Sequence, residues 1–505
     1  MAPGLLLWAR SRATTKLGNV NEHHREDRVN DAADRRRLSR TPDPRLITAV
    51  LAFAGMSASF MQTLVVPIQS ELPELLDAPR TDTAWVITAT LLSACVFTPV
   101  AGRLGDLFGK RRMAIIALVV LVLGSIVAAL STNVWTLVAG RALQGAVMGV
   151  IPLGISILRD TLHRDRLPGA IALVSATLGI GGALGLPLSA VVAQNTDWHT
   201  LFWMAAGLGL LDIALIFWIV PVSTLRTAGR FDLPGAILLA IGLCGVLIAV
   251  SRGNDVGWTD PMILVSGIGG LVVLVLFGLF ELRTASPLVD LRVAVRPAVL
   301  FTNLASIAVG FAFFSAQITL PQLLELPAAT GVGFGLSLIV ASLVLMPGGL
   351  AMMGTSPVAA RLSSTVGPRM VLILGSALIG VSYLAAIAFA AEVWQILVIN
   401  AVIGVGLGLA YAAMPTLIMH AVPATETAAA NGLNALMRTL GTTVSSAVTA
   451  AVLAQLTLDI PGAAVPTTEG FRVTFVIGAV GAIAAVVLGL CIPRRPRADA
   501  RPALP

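Results

Sequence analysis

Three charged side chains stand at positions where a charge could do chemistry in an otherwise apolar chain. Asp106 lies in a short basic segment, residues 102–113 (GRLGDLFGKRRM), between two apolar runs, and Arg141 and Asp212 lie within such runs. Ionisable groups among apolar residues are costly, and in membranes they mark proton relays and substrate pathways. These residues are therefore the first functional candidates.

The composition predicts an all-α, polytopic membrane protein. Of 505 residues, 56% are hydrophobic and 12% are charged, and the mean hydropathy is +0.90. Soluble domains carry roughly 25% charged residues. The apolar runs are continuous, whereas a β-barrel would alternate in segments of about 10 residues. The net charge of +7 comes from cations between the runs, which indicates topology and a lipid bilayer partner rather than nucleic acid.

The sequence offers little support for an enzyme, a primary pump or a metal protein. The cysteines (Cys95, Cys244 and Cys491) lack metal-site spacing, and the five histidines lie outside the apolar cores. Paired acids and a nucleophile–base pair are not recognisable, and no Walker lysine follows the mid-membrane glycines. We expect no cofactor and no metal.

Fourteen apolar spans follow a basic tail at residues 1–45, which we expect to be disordered. Each span is near the ~20 residues that cross a bilayer. They cover 46–68, 83–103, 112–131, 136–158, 169–193, 200–221, 233–251, 261–281, 298–320, 332–355, 369–389, 393–419, 433–456 and 471–492.

The distribution of Lys and Arg predicts that both termini are cytoplasmic. With the N-terminus inside, 28 of the 33 Lys and Arg residues lie on the cytoplasmic side, three lie outside, and Arg141 and Arg438 lie within spans. Positive residues are concentrated in cytoplasmic loops. The opposite orientation would invert this bias.

A repeated pattern, R-L-x4-G-x-R, predicts an internal duplication. It begins at Arg103 and again at Arg361, an offset of 258 residues, and spans 1 and 9 begin 252 residues apart. Duplicated halves are common in secondary transporters with a central alternating site. We therefore predict a six-helix bundle at 46–221, two inserted helices and a linker at 222–297, a second bundle at 298–492, and a tail at 493–505.

The segment at 102–113 resembles the signature of the major facilitator superfamily. In that family the acid joins the two halves at the cytoplasmic side, which implies this role for Asp106, with Asn434 and Arg438 at the start of span 13 as expected partners. Gly102 and Gly109 would permit a tight reversal, and Arg111 belongs to the basic run at the inner leaflet. A plain topogenic loop is the alternative. The second copy has Ser364 in place of the acid.

Span 4 resembles the arginine signature of the same superfamily, in which the arginine is implicated in proton transfer. Arg141 lies about six residues, or ~9 Å, from the outer surface. The resemblance implies that it faces a central cavity with Gln144 beside it. The alternative is an arginine that snorkels to the outer interface.

Span 5 resembles the antiporter signature of this superfamily. Gly181 and Gly185 would let helices approach closely, and Pro187 would add a bend. The proline is one residue late relative to that signature. An ordinary tight helix crossing is the alternative.

The fourteen spans and these motifs together resemble the drug:proton antiporter branch, with one departure. That branch commonly carries an acid in span 1, where this chain reads FMQTLVVP at residues 60–67. Desolvation favours the protonated form of an intramembrane carboxylate. Asp212 in span 6, ~12 residues or roughly 18 Å from the outer end, or Asp106 could therefore contribute to coupling. A structural, hydrogen-bonded Asp212 is the alternative.

The resemblance implies export of amphipathic drugs or antibiotics in exchange for protons by alternating access, driven by the proton gradient. A narrow-substrate metabolite exporter or a symporter of the same superfamily is the alternative. We expect a monomer in the plasma membrane of a bacterium, with protons and a small-molecule substrate as partners. Met and aromatic side chains adapt to varied ligands and amides orient them, and the expected cavity residues of these types are Met61, Gln62, Gln144, Asn303, Phe313, Gln317, Tyr411 and Met414.

Overall fold

The structure, a computed structural model, describes residues 43–69, 71–163, 165–223, 225–460 and 463–494. The chain divides into two units, Met1–Leu46 and Ile47–Pro505. The first unit is described only at residues 43–46. The predicted disordered tail at 1–45 therefore lies outside the described residues up to residue 42, as does the end of the chain from residue 495.

Fourteen helices of the described chain are long and apolar enough to cross a membrane, which confirms the predicted architecture. We label them α1 to α14. Their bounds are α1 Pro44–Thr63, α2 Trp85–Phe108, α3 Lys110–Ala129, α4 Val134–Thr161, α5 Leu167–Asn195, α6 His199–Ile219, α7 Leu233–Val256, α8 Pro261–Glu281, α9 Pro297–Glu325, α10 Leu338–Thr365, α11 Pro368–Phe389, α12 Val393–Ala421, α13 Thr427–Gln455 and α14 Thr468–Cys491.

The basic segment at 102–113 is mostly helical, whereas the sequence predicted a loop. Helix α2 continues to Phe108 and α3 begins at Lys110, so Gly109 alone separates them. Gly109 has φ +107°, and Gly367 at the corresponding place in the second half has φ +89°. Glycine adopts such conformations without the penalty that a Cβ imposes. The repeated glycines therefore make the two sharp reversals.

Other helix bounds also differ from the predicted spans. A 3-10 turn, Gly145–Gly149, interrupts α4. Helix α10 begins at Leu338, after the capping residue Ser337, rather than at the predicted residue 332. Helix α13 begins at Thr427, six residues before the predicted residue 433. Two short antiparallel strands, β1 Thr457–Ile460 and β2 Ala463–Pro466, connect α13 to α14. Hydropathy marks the apolar length of a segment but not the residues at which a helix begins and ends.

Two six-helix bundles, α1–α6 and α9–α14, make up the body of the protein, and each has its own buried apolar cluster. The bundles meet along two seams, where α2 packs on α13 and α5 packs on α10. These seams are equivalent under the internal duplication, because α10 and α13 are the second and fifth helices of the second half. The inserted hairpin, α7 and α8, packs on α2 and α13 around a third apolar cluster.

Candidate functional site

Asp106 joins the two bundles at the start of α13. Its carboxylate accepts hydrogen bonds from the backbone N–H groups of Ala428 at 3.3 Å and Ala429 at 2.8 Å, and the side chain is fully buried. The first N–H groups of a helix have no partners within the helix and carry partial positive charge. The contact therefore supplies a negative charge where the helix needs one.

Gly102 makes this close approach possible. A Cβ at this position would lie 2.5 Å from the carbonyl oxygen of Ala428 and 3.1 Å from the Cα of Ala429. On the other side of the seam, a Cβ at Gly432 would lie 2.9 Å from the carbonyl oxygen of Thr98. The α2–α13 seam is therefore a contact of backbone against backbone. We call the seam with its Asp106 contact the gate.

A set of charges around the gate completes the link between bundles. Lys110 donates to Asp160 at 2.6 Å and lies 4.0 Å from Asp106. Arg159, at the end of α4, donates to the Thr427 hydroxyl and to the carbonyl oxygen of Val422 at 3.3 Å. Together these residues hold the first bundle against the loop between α12 and α13. Arg159 and Asp160 were not predicted as site residues, although their position at the charged end of span 4 could have indicated them.

The expected side-chain partners of Asp106 are wrong, although the element is right. Asn434 lies six residues, or ~9 Å, further along α13, and it donates to Asn303 at 2.9 Å and to Ser306 at 2.7 Å. The Arg438 guanidinium lies over the Tyr411 ring, 4.8 Å from its centroid. The backbone N–H groups at the start of α13 can donate to Asp106 because the first N–H groups of a helix have no partner within the helix.

Arg111 lies away from the gate contact. Its guanidinium donates to the carbonyl oxygen of Phe217 at the end of α6 and lies 5.3 Å from the Phe217 ring centroid. This geometry ties the start of α3 to the end of α6.

Arg141 is buried among backbone carbonyls rather than facing an open cavity. It is 1% exposed, and it donates to the carbonyl oxygens of Met61 at 3.1 Å and Val86 at 3.4 Å. It also donates to Gln144 at 2.8 Å, and Gln144 donates to Ser125 at 2.8 Å. The expected cavity position of Arg141 and Gln144 is therefore wrong for this conformation. Their polar groups satisfy one another across α1 to α4.

The glycines of α5 pack against two other helices. A Cβ at Gly181 would lie 2.4 Å from the Ser59 Cβ, and one at Gly185 would lie 2.1 Å from the Thr63 Oγ1 in α1. A Cβ at Gly349 of α10 would lie 2.4 Å from the carbonyl oxygen of Gly179, and one at Gly179 would lie 2.4 Å from the Met352 sulfur. Pro187 lies inside α5 without ending it. The signature-like stretch thus forms close helix crossings.

Asp212 is a fully buried carboxylate, and no cation among the described residues interacts with it. Ser57 of α1 is its polar neighbour, yet neither carboxylate oxygen has a hydrogen-bond partner in the described chain. An ionised carboxylate left without partners in an apolar site is very costly. The site therefore suits a protonated carboxyl group, and it lies inside the first bundle, on α6.

A small cavity of about 50 Å³ lies between α5 of the first bundle and α9, α10 and α12 of the second. Its polar groups are neutral, and its apolar lining includes thioether and aromatic side chains. The residues of these types are Gln317, Ser342, Asn400, Met346, Met352 and Phe313.

Two of the expected cavity residues, Phe313 and Gln317, line this cavity. Tyr411 lies directly behind Phe313, with the ring centroids 6.2 Å apart in an edge-to-face arrangement. Met61, Asn303 and Met414 are buried in helix contacts, and Gln62 is partly exposed. Asn400, which donates to the carbonyl oxygen of Leu345 at 2.7 Å, was missed. An amide within the apolar span 12 was its signal.

The two bundles, the seams between them and the cavity that they enclose define the class: a secondary transporter of small molecules rather than an enzyme. The chain belongs to the major facilitator superfamily, whose family model matches residues 51–446 and 304–505. Its fourteen helices and its drug-resistance relatives, described next, confirm the predicted fourteen-span drug-transporter branch.

Curated relatives and solved structures agree with this assignment. The chain is 27% identical to the lincomycin resistance protein LmrB of Listeria monocytogenes over 72% of this chain and 77% of the relative. It is 26% identical to the multidrug resistance protein Stp of Mycobacterium tuberculosis over 81% and 76%. The fold is similar to that of the human organic anion transporter MFSD10, with TM-score 0.62, 14% identity and coverage of 90% and 100%. For the proton:xylose symporter XylE the TM-score is 0.61, with 14% identity and coverage of 87% and 94%.

Proposed function

We propose that this protein exports amphipathic drugs or antibiotics in exchange for protons by alternating access. The observation that carries the proposal is the gate contact between Asp106 and α13. It lies on a seam between two bundles that also enclose the neutral cavity between α5 and α9, α10 and α12. To expose the cavity on the gate side, the bundles must separate and this contact must break.

The cavity supports amphipathic substrates. Phe313, Met346 and Met352 offer apolar and polarisable surface, and Gln317 and Asn400 offer hydrogen bonds without a formal charge. Such a lining adapts to varied shapes. Resistance to lincomycin and to multiple drugs, named for the relatives, points in the same direction.

Two buried carboxylates support proton coupling. Asp212 lacks any hydrogen-bond partner in the described chain, and Asp106 sits at the contact that must open. A proton that binds Asp212 removes a charge from an apolar site, and one that binds Asp106 removes the charge that contacts the start of α13. The energy source is then the proton gradient, and the protein works as a monomer in the plasma membrane with both termini in the cytoplasm.

Two features favour a narrower function. The described lining of the cavity contains no carboxylate, and α1 carries none at the place where the branch commonly has one. A metabolite exporter or a symporter with a neutral substrate would need no carboxylate at either place.

The test is proton release from everted vesicles energised to an inside-acid gradient. Cationic and neutral amphipathic drugs are added to vesicles that contain the wild type, Asp106→Asn, Asp212→Asn or Asp165→Asn. Asp165 is 88% exposed in its side chain, so its variant is the matched control. Drug-evoked collapse of the gradient is expected for the wild type and the control.

The variant that loses the response identifies the coupling carboxylate. A wild type that is folded and inserted but gives no response to any drug of the panel would contradict drug:proton antiport and favour the narrow-substrate alternative.

A further inference from the structure

The inserted hairpin carries two buried carboxylates side by side at the gate end of the protein. Asp232 caps the start of α7, and Glu281 is the last residue of α8. They are 7% and 3% exposed. An ideal Cβ on Gly235 would lie 2.3 Å from Oδ2 of Asp232 and 3.0 Å from Oε1 of Glu281, so both carboxylates contact the same glycine.

Each carboxylate uses one oxygen and leaves the other without a partner. Oδ1 of Asp232 accepts the Gly235 N–H at 2.9 Å. Oε1 of Glu281 accepts the N–H groups of Leu288 at 3.1 Å and Val289 at 3.3 Å. Oδ2 of Asp232 and Oε2 of Glu281 have no hydrogen-bond partner in the described chain. Buried polar atoms without partners are rare and require an explanation.

Arg103 is the cation whose charge acts on this pair among the described residues. Arg103 of α2 is 7% exposed, and its Nε has no hydrogen-bond partner in the described residues. Its charge acts on Glu281 of the hairpin and also on Asp106 of the gate. It lines a cavity of about 180 Å³ together with Leu288, Val289 and the start of α13. This cavity gives water a route to the loop that covers Glu281.

We propose that Glu281 binds a proton beside Asp232 and forms a second proton-binding site, connected to the gate through Arg103. The adjacent Asp232 carboxylate and the burial of Glu281 both oppose ionisation of Glu281. A proton on Oε2 of Glu281 accounts for the lack of a partner at this oxygen, and the negative charge of Asp232 balances Arg103. The role of the site in coupling rests on the proposed antiport, whereas its proton occupancy does not.

The surrounding charges are few. The helices packed on α7 contribute Arg103 and Asp106 from α2, Glu281 from α8 and Arg438 from α13. The flanking loops add Arg226, Arg230, Arg283, Asp290, Arg292 and Glu426. Of all these groups, Asp232 and Arg103 act on the Glu281 charge. When the proton leaves Glu281, the added negative charge attracts Arg103 toward the hairpin and weakens its interaction with Asp106.

Infrared spectroscopy tests the site directly in nanodiscs, because protonated carboxyl groups have a carbonyl band of their own. The pH is varied for the wild type, Glu281→Gln, Asp232→Asn and the control Glu469→Gln, whose side chain is 67% exposed. A titrating band of one carboxyl group is expected in the wild type and the control. It should vanish in Glu281→Gln, and its midpoint should move to lower pH in Asp232→Asn, because an adjacent negative charge is lost.

Two outcomes would overturn the proposal. A band that is unchanged in Glu281→Gln belongs to another group, and an unchanged midpoint in Asp232→Asn shows that Asp232 does not act on the site. Arg103→Gln should raise the midpoint of the band by about one pH unit or more, since an opposing charge is lost, and Arg103→Lys should restore it. An unchanged midpoint in Arg103→Gln would disprove the connection to the gate. The spectra require no transported drug, so this result is independent of the vesicle assay.

Discussion

The carboxylate of Asp106 in α2 accepts a 2.8 Å hydrogen bond from the backbone N–H of Ala429 in α13, 323 residues away. We expect Asp106→Asn to weaken the closed gate, because an amide keeps an acceptor but loses the charge that the helix start attracts. The loss should be about 1 kcal/mol, or roughly fivefold in the ratio of closed to open protein. Spin labels at His163→Cys and Ser364→Cys, one in each half, would report the separation in a variant without the three native cysteines.

An unchanged distance distribution in Asp106→Asn would contradict the assigned role of this carboxylate. Asp165→Asn, in an exposed loop, serves as the control in the same labelled background.

Gly102→Ala should also open the gate, for a steric reason. The added methyl group would lie 2.5 Å from the Ala428 carbonyl oxygen, and overpacking of this kind costs about 1–3 kcal/mol. The same spin-label pair measures the effect. Gly207→Ala is the matched control, because a Cβ there has nothing within 4 Å. Equal distance distributions in Gly102→Ala and Gly207→Ala would contradict this expectation, because they would show that the seam accommodates the added methyl group.

Arg141→Met should destabilise the first bundle. The substitution leaves the carbonyl oxygen of Met61 and Oε1 of Gln144 without this donor, and each buried acceptor left unpaired costs about 1–3 kcal/mol. Thermal unfolding in nanodiscs should therefore occur at a clearly lower temperature. Arg472→Met removes an exposed arginine, 57% exposed in its side chain, and should leave the midpoint unchanged. A wild-type midpoint in Arg141→Met would show that the network adds little stability.

Gln317→Leu should change which substrates bind. The side chain lines the cavity, and loss of one hydrogen bond to a ligand costs about 1 kcal/mol, or roughly fivefold in affinity. Substrates that can accept or donate this bond should lose affinity, and purely apolar ones should not. Binding titrations across a drug panel make the comparison, with Gln455→Leu at the exposed end of α13 as the control. A uniform loss across the panel would indicate general damage instead.

The charge bias predicts the orientation of the chain. An impermeant thiol reagent added to intact cells should label Glu74→Cys and leave His163→Cys unlabelled, since the first lies in the loop after α1 and the second in the loop after α4. Both residues are exposed in the structure. Both cysteines should therefore react once the membrane is permeabilised, which controls for their accessibility. The reverse pattern would invert the topology.

The sequence by itself determined the number of helices, the duplicated halves and the inserted pair. These features are local or periodic: an apolar segment in a bilayer must satisfy its own backbone hydrogen bonds, so it forms a helix wherever it is long enough. The glycines at 109 and 367 likewise mark reversals through their own backbone conformation. The sequence motif also indicated that Asp106 meets the start of α13.

Only the tertiary structure decided which atoms meet. It gave Asp106 the N–H groups of Ala428 and Ala429 instead of Asn434 and Arg438. It also buried Arg141 among carbonyls and brought Asp232 beside Glu281. The physical reason is that successive residues of a helix point about 100° apart, so a side chain's neighbours depend on how each helix is rotated against the others. That rotation is set by close packing between helices distant in sequence, which no local pattern records.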